Sequence, residues 1–416
     1  MQFTAARSRQ AQQAIVAVFF LQGALTVTQL PRIPEIIKQI DVNFSAWGLI
    51  LGVAGLGGLL GLSVTSRLIS KFGTRRVSLI GSLGVALTIA SFGFIHNPWL
   101  FFIAQGLNTF LAAIFNIALN SQTVALQKAL NRIILGKFHA SWAIGAASSS
   151  ALSGLLSTFM PLWVHLLLVP GIISLLLIYF VGHMLSVDED GHGSGRVKAK
   201  SVGFFKSPKR VWLLAAGLFT GVTCELTLMD WSAVFSQRAL HLGLGASAIP
   251  YTAFSTALIV GRLCINPLSK RWHLSRIANF AGIFGGLAMA IAVFVGMPVS
   301  LANPGLGLVI VTACFALTGL GAAPMVPSFF SLTGNVKGLS AAQVLARMSL
   351  VNALAVMIAK IVMGATASAA GVQAVLFYPV AGMIISGFIA GYIASHEKRR
   401  LKAKPYPATG AIVIVE

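Results

Sequence analysis

Twelve stretches of about twenty predominantly apolar residues follow one another along this chain, and that repetition restricts its folding more than any single motif does. Hydrocarbon offers no hydrogen-bond partner to a backbone amide, so each stretch must close its own hydrogen bonds as a helix. The expected spans are 11–36, 44–67, 77–95, 98–127, 138–160, 162–185, 210–236, 247–268, 276–297, 305–330, 340–366 and 370–395. The fold class is therefore an all-α membrane protein with twelve transmembrane helices.

The cations give the orientation. Arg32, Lys38 and Arg238 fall in one set of gaps and Lys360 falls inside span eleven, while the other 26 of the 30 Lys and Arg residues lie at the termini or in the alternate gaps. An excess of this kind marks the cytoplasmic side, which puts both termini in the cytoplasm. The same rule accounts for a formal net charge of +21, which in a soluble protein would suggest nucleic acid. With 56% apolar and 9% charged residues, neither a disordered chain nor a soluble enzyme fits. Cys224, Cys264 and Cys314 sit in apolar spans without a C-x-x-C partner, so neither a disulfide framework nor a metal site is expected. Arg7 and Arg9 precede span one without a small-residue cleavage site after a short core, so this span reads as an uncleaved anchor.

The polar stretch 186–209 has the character of a linker between a six-span half at 1–185 and another at 210–395, with a basic tail at 396–416. Leu68-Ile-Ser-Lys-Phe72 after span two is echoed by Leu268-Ser-Lys-Arg-Trp272 after span eight. Repeats of this kind are typical of secondary transporters, whose site lies near mid-membrane between the two units.

The loop from Ser66 to Arg76 resembles the signature G-x-x-x-D-[RK]-x-G-x-[RK]-[RK] of the major facilitator superfamily, matching at Lys71, Gly73, Arg75 and Arg76. Ser66 replaces its first Gly and Ser70 its Asp, which puts the latch attributed to that Asp in doubt. Arg32-Ile-Pro34, Asn116-Ile-Ala-Leu-Asn-Ser-Gln122, Phe138-His-Ala-Ser-Trp142, Glu225 through Val234, Gly261-Arg262 with Asn266, and Gly319 through Pro327 resemble the YbjJ-like and fucose-permease-like bacterial branch. The resemblance implies a place in a bacterial inner membrane, and that helices one, four, seven and ten line a central cavity. Asn116 stands where relatives often carry Asp, which removes one candidate proton carrier.

Gln22, Thr26 and Gln29 share one face of span one, and Gln105, Asn108, Asn116 and Asn120 share one face of span four. Amides facing lipid are costly, so these stripes line a polar pathway or hydrogen-bond between helices. Glu225 lies near mid-membrane and is the first candidate for a proton-binding group, with an ion pair to Lys360 as the structural alternative. Asp230, near the outer end of span seven, is expected to pair with Arg32 or Arg238, and Arg262 to snorkel or pair at a gate. Pro324 and Pro327 should break or bend span ten.

These features describe a transporter rather than an enzyme, moving a small polar solute such as a sugar, polyol or nucleoside with protons by alternating access. The expected partners are the solute, H⁺ and the bilayer. A monomer without cofactor, metal or nucleic acid is anticipated. Efflux of amphipathic compounds and a non-transporting membrane sensor are the competing readings.

Overall fold

A computed structural model describes residues 4–130, 134–190, 207–336, 339 and 341–402. Arg132, most of the linker, Lys337 and the end of the tail, all counted above among the cations, lie outside these residues. Among the described residues there is no strand. Ten helices among these residues are long and apolar enough to cross a membrane, and one of them holds two of the expected spans.

That helix is Phe44–Phe92, broken at Gly73, where φ is 76° and ψ is 159°. Only glycine adopts this backbone without strain, so the chain turns back on itself there. We number the segment before Gly73 α2 and the one after it α3. The others are α1 (Ala5–Val27), α4 (Pro98–Leu130), α5 (Leu135–Leu156), α6 (Leu162–Gly182), α7 (Lys209–Arg238), α8 (Ile249–Ser269), α9 (Leu274–Ile291), α10 (Pro304–Ala322), α11 (Ala341–Ala370) and α12 (Phe377–Lys402). α5 stands outside those ten, which leaves its place as expected span five to its position in the bundle.

Two spans differ from the expectation. Span one ends at Val27 instead of running on to residue 36, and a 3-10 turn at Leu30–Arg32 leads into a short helix, Ile33–Gln39. Pro31 and Pro34 lack the amide hydrogens that a continuous helix would use. Span nine continues past residue 297 through a π-turn at Ala292–Gly296 to Ala302. In span ten the helix stops at Ala322 and resumes at Met325–Ser331, so the break falls at Pro324.

Helices α1–α6 pack among themselves, most extensively α2 and α3 together on α4, α1 on α5 and the Phe44–Phe92 helix on α6, and helices α7–α12 do the same through α9 on α12, α8 on α10 and α7 on α12. The two sets meet where α2 packs on α11 and α5 on α8. Glycine permits the first contact: a Cβ on Gly48 would stand 2.6 Å from Gly364 Cα, and one on Gly364 equally close to Gly48 Cα. The second contact includes the Ser150–Thr252 hydroxyl pair at 2.9 Å and the approach of Gly154 to Ala248. Both contacts lie toward the end of the bundle away from the termini, called here the far end. Phe44 on α2 meets Trp231 on α7 edge-on at the same level.

The bundle's outer surface is apolar. Leu87, Ile103 and Leu175 are more than three-fifths exposed, which suits lipid and not water. Trp99 and Trp163 ring the far end, and Tyr179, Trp272 and Tyr392 the terminus end, as aromatic side chains do at membrane interfaces.

Candidate functional site

Glu225 and Arg262 form the central charged pair. α7 and α8 run in opposite directions, and each residue stands thirteen positions from the far end of its helix, so both lie about 20 Å inward. Arg262 Nη2 donates to Glu225 Oε1 at 2.8 Å. The two side chains keep 36% and 25% of their accessible surface, so the pair is neither sealed in the core nor fully hydrated. An isolated carboxylate at this depth costs several kcal/mol, and the guanidinium offsets much of that cost.

Asp230, five residues on, lies about 140° round α7 and faces a different neighbour. Lys360 Nζ on α11 stands 2.7 Å from its Oδ2. The expected pairings of Glu225 with Lys360 and of Asp230 with Arg32 or Arg238 are therefore corrected. Depth explains the exchange: Asp230 and Lys360 are eight and ten residues from the far ends of their helices, within about 3 Å of the same level, while Glu225 sits roughly a helical turn deeper.

Arg32 has another role that sequence reasoning missed. It is fully buried, donates from Nη2 to Glu35 Oε2 at 2.8 Å and to the Met160 carbonyl at 3.0 Å, and meets His165 Nδ1 at 3.3 Å. Arginine has no acceptor, so His165 Nδ1 must accept and Nε2 carries the hydrogen toward Thr28 Oγ1, 3.1 Å away. The i,i+3 spacing of Arg32 and Glu35 was a usable signal for part of this cluster.

The stripe on α4 divides. Asn108 is buried and donates to Thr88 Oγ1 on α3 at 2.7 Å, so it joins two helices. Asn116 is exposed, and Asn120 Nδ2 donates to its carbonyl and to its Oδ1 at 2.8 and 2.9 Å. Both line an open groove of about 410 Å³ with Ser121, Lys128 and Asp190. Gln105 is half-buried. On α1, Thr26 bonds the Gln22 carbonyl at 2.8 Å, and the buried Gln22 Oε1 has no hydrogen-bond partner among the described residues; Gln29, just past the end of α1, is half-buried.

At the turn between α2 and α3, Ser70 Oγ bonds only its own helix among the described residues, at the Arg67 carbonyl 2.9 Å away. Lys71 lies over Phe72 at 5.1 Å, and Arg75 approaches Gly182 at the end of α6. The carboxylate at this turn comes from elsewhere in the chain. Asp190 Oδ2 accepts from Thr74 N at 3.1 Å and Thr74 Oγ1 at 2.6 Å, and Gln122 of α4 joins Thr74 to the Leu185 carbonyl. This satisfies amides that would otherwise be orphaned at the start of α3. No local pattern could have revealed it, because 116 residues separate the partners.

Next to it, Arg7 holds Glu189 through two contacts of 2.9 and 2.6 Å and bonds the His183 and Met184 carbonyls. Hydrogen bonding from the Arg7 guanidinium pulls the Glu189 carboxyl down to about 2.

Helical spans, a membrane-suited surface and charges held at mid-depth agree with a comparison of known families: the model of the Major Facilitator Superfamily matches residues 15–359. The chain belongs to this superfamily. It is similar to the uncharacterized transporter y4wD of Sinorhizobium fredii, 28% identical over 77% of this chain and 81% of that one. A second relative is an MFS-type transporter of Yersinia pestis, 25% identical over 76% and 78%. Among solved structures, the D323A mutant of the nucleoside transporter NupG superposes with a TM-score of 0.75 at 14% identity, covering 92% of this chain and 99% of that one, which establishes the fold. This superfamily member is a multi-pass membrane transporter and not an enzyme.

Proposed function

We propose that this transporter moves a small polar solute, of sugar, polyol or nucleoside type, together with protons across the bacterial inner membrane. Its two units, 1–185 and 210–395, rock about a mid-membrane site, with the linker 186–209 and both termini on the cytoplasmic side. The observation that carries the reading is the Glu225–Arg262 pair, an acid held at mid-depth by a partner on a neighbouring helix and still reachable by water. A proton arriving at Glu225 removes the charge that holds Arg262, so the pair opens without leaving a lone carboxylate in hydrocarbon.

The solute class rests on different atoms. Asn116 and Asn120 offer donors and acceptors in an open groove, and Gln22 Oε1 is a buried acceptor without a donor among the described residues. Unsatisfied acceptors of this kind suit a ligand rich in hydroxyl or amino groups. Nucleosides head the compounds to test, because the fold neighbour named above transports them. Contacts between the units at the far end correspond to a state open toward the cytoplasm.

The test uses full-length protein in liposomes with an imposed pH gradient and labelled nucleosides, hexoses and polyols. One unit of gradient should support about tenfold accumulation per coupled proton. Glu225→Gln should abolish that accumulation while preserving exchange of solute down its own gradient. Unchanged gradient-driven accumulation in Glu225→Gln would remove the proton role from this residue, and absence of uptake for all three classes in the native protein would remove the solute assignment.

A further inference from the structure

A groove of about 750 Å³ lies between the start of α7 and the end of α12, on the outside of the bundle and away from Glu225. Its two ends differ chemically. Lys209, Arg210 and His396 stand at the terminus end, and Leu213, Phe388 and Ile389 continue the lining toward the middle of the membrane. Phe388 lies eight residues before His396, so the apolar floor extends about 12 Å along α12. The His396 ring packs on Tyr392 with centroids 4.1 Å apart, which fixes the imidazole beside the groove. Phe388 and Tyr392 are 62% and 54% exposed, so in a bilayer this surface faces acyl chains.

We propose that this groove binds an anionic phospholipid, its phosphate against Lys209 and His396 and an acyl chain along Phe388 and Ile389. Charge complementarity decides the occupant. A free phosphate would meet the cations but leave the apolar floor uncovered, and a zwitterionic lipid would bring its own ammonium to a basic mouth. A second protein helix would have to cover the charged and the apolar ends together, which an anionic lipid does with one molecule already present in the membrane. The lipid bridges the first turn of α7 and the last turns of α12. The assignment does not depend on the solute or on proton coupling.

The experiment measures lipid retention by the detergent-purified full chain in native mass spectrometry, with phosphatidylglycerol and phosphatidylcholine of the same chain length in competition. The native protein should prefer phosphatidylglycerol, and Lys209→Ala should lower that preference about fivefold, as expected for one cation at a membrane surface. His396→Ala should lower it further, and Ile389→Trp, which fills the floor, should abolish retention in protein that stays monodisperse. Lys270→Ala, which removes an exposed cation at the same end but on another helix, should leave the preference unchanged. The proposal fails if Lys209→Ala with His396→Ala keeps the native preference, or if inorganic phosphate displaces the lipid at equal concentration. It also fails if the preference is lost on neutralising Lys402 and Lys404, which would assign the lipid to the tail.

Discussion

Single side chains carry the charge economy of this transporter: Glu35, Glu189, Glu225 and Asp230 each have their own cation. The Arg7–Glu189 pair lies outside the membrane-spanning segments, at the terminus end. Glu189 titrates near 2 in the folded chain against an ordinary 4.5, so its contribution to stability is complete above pH 4.5 and declines as pH falls toward 2. With roughly a quarter of each side chain exposed, that contribution is about 1 kcal/mol. Glu189→Gln should therefore melt below the native protein at pH 7, and the difference should shrink steadily below pH 4.5. A difference that grew on acidification would contradict the pairing. Which cation serves which acid was only partly legible in the sequence. The depth of Glu225 followed from counting along span seven, but a helical turn of about 5.4 Å is enough to exchange Lys360 for Arg262, and counting within one helix does not say which neighbour it faces.

At the scale of the helix, the twelve spans were legible because hydropathy and proline act locally. Pro324 breaks α10 where the sequence places it, whereas Pro31 and Pro34 end span one earlier than its apolar run does. The split of the α4 stripe was not legible. Asn108 and Asn116 share a face by helical arithmetic, yet α3 covers the first and leaves the second open. Gly73, like Gly371, holds a backbone conformation that a residue with a Cβ adopts only under strain. Its φ of 76° penalises any Cβ, and one there would also stand 2.4 Å from Val187 Cγ2. Gly73→Ala should cost about 1–2 kcal/mol from backbone strain, with the Val187 contact adding to it, and should be read as a lower melting temperature. Ser70→Ala, whose hydroxyl serves only its own helix, should leave that temperature unchanged.

For the molecule as a whole, the proposed rocking of the two units requires the contacts at the far end to separate. Ser150 and Thr252 face each other across α5 and α8 with their oxygens 2.9 Å apart, a spacing that suits a disulfide between replacement cysteines. In a background lacking Cys224, Cys264 and Cys314, the Ser150→Cys, Thr252→Cys pair should lose nearly all uptake on oxidation and regain it on reduction. Uptake that survived quantitative cross-linking would show that this contact stays closed throughout the cycle. The two-unit architecture behind this expectation was legible from the span count and the loop echo. The residues that join the units were not, because Gly48 and Gly364 look like ordinary small residues until their backbones are seen in contact.

That glycine contact has a mechanical consequence. At Gly48 and Gly364 two bare backbones are held by short-range attraction, and beyond them the seam has the 2.7 Å bond from Ser45 N to Ser368 Oγ and the Ile361 and Met357 side chains to release, with no charged pair to rehydrate among these contacts. The seam between α2 and α11 can be peeled apart in many small increments, so the work of opening falls on whatever occupies the interior.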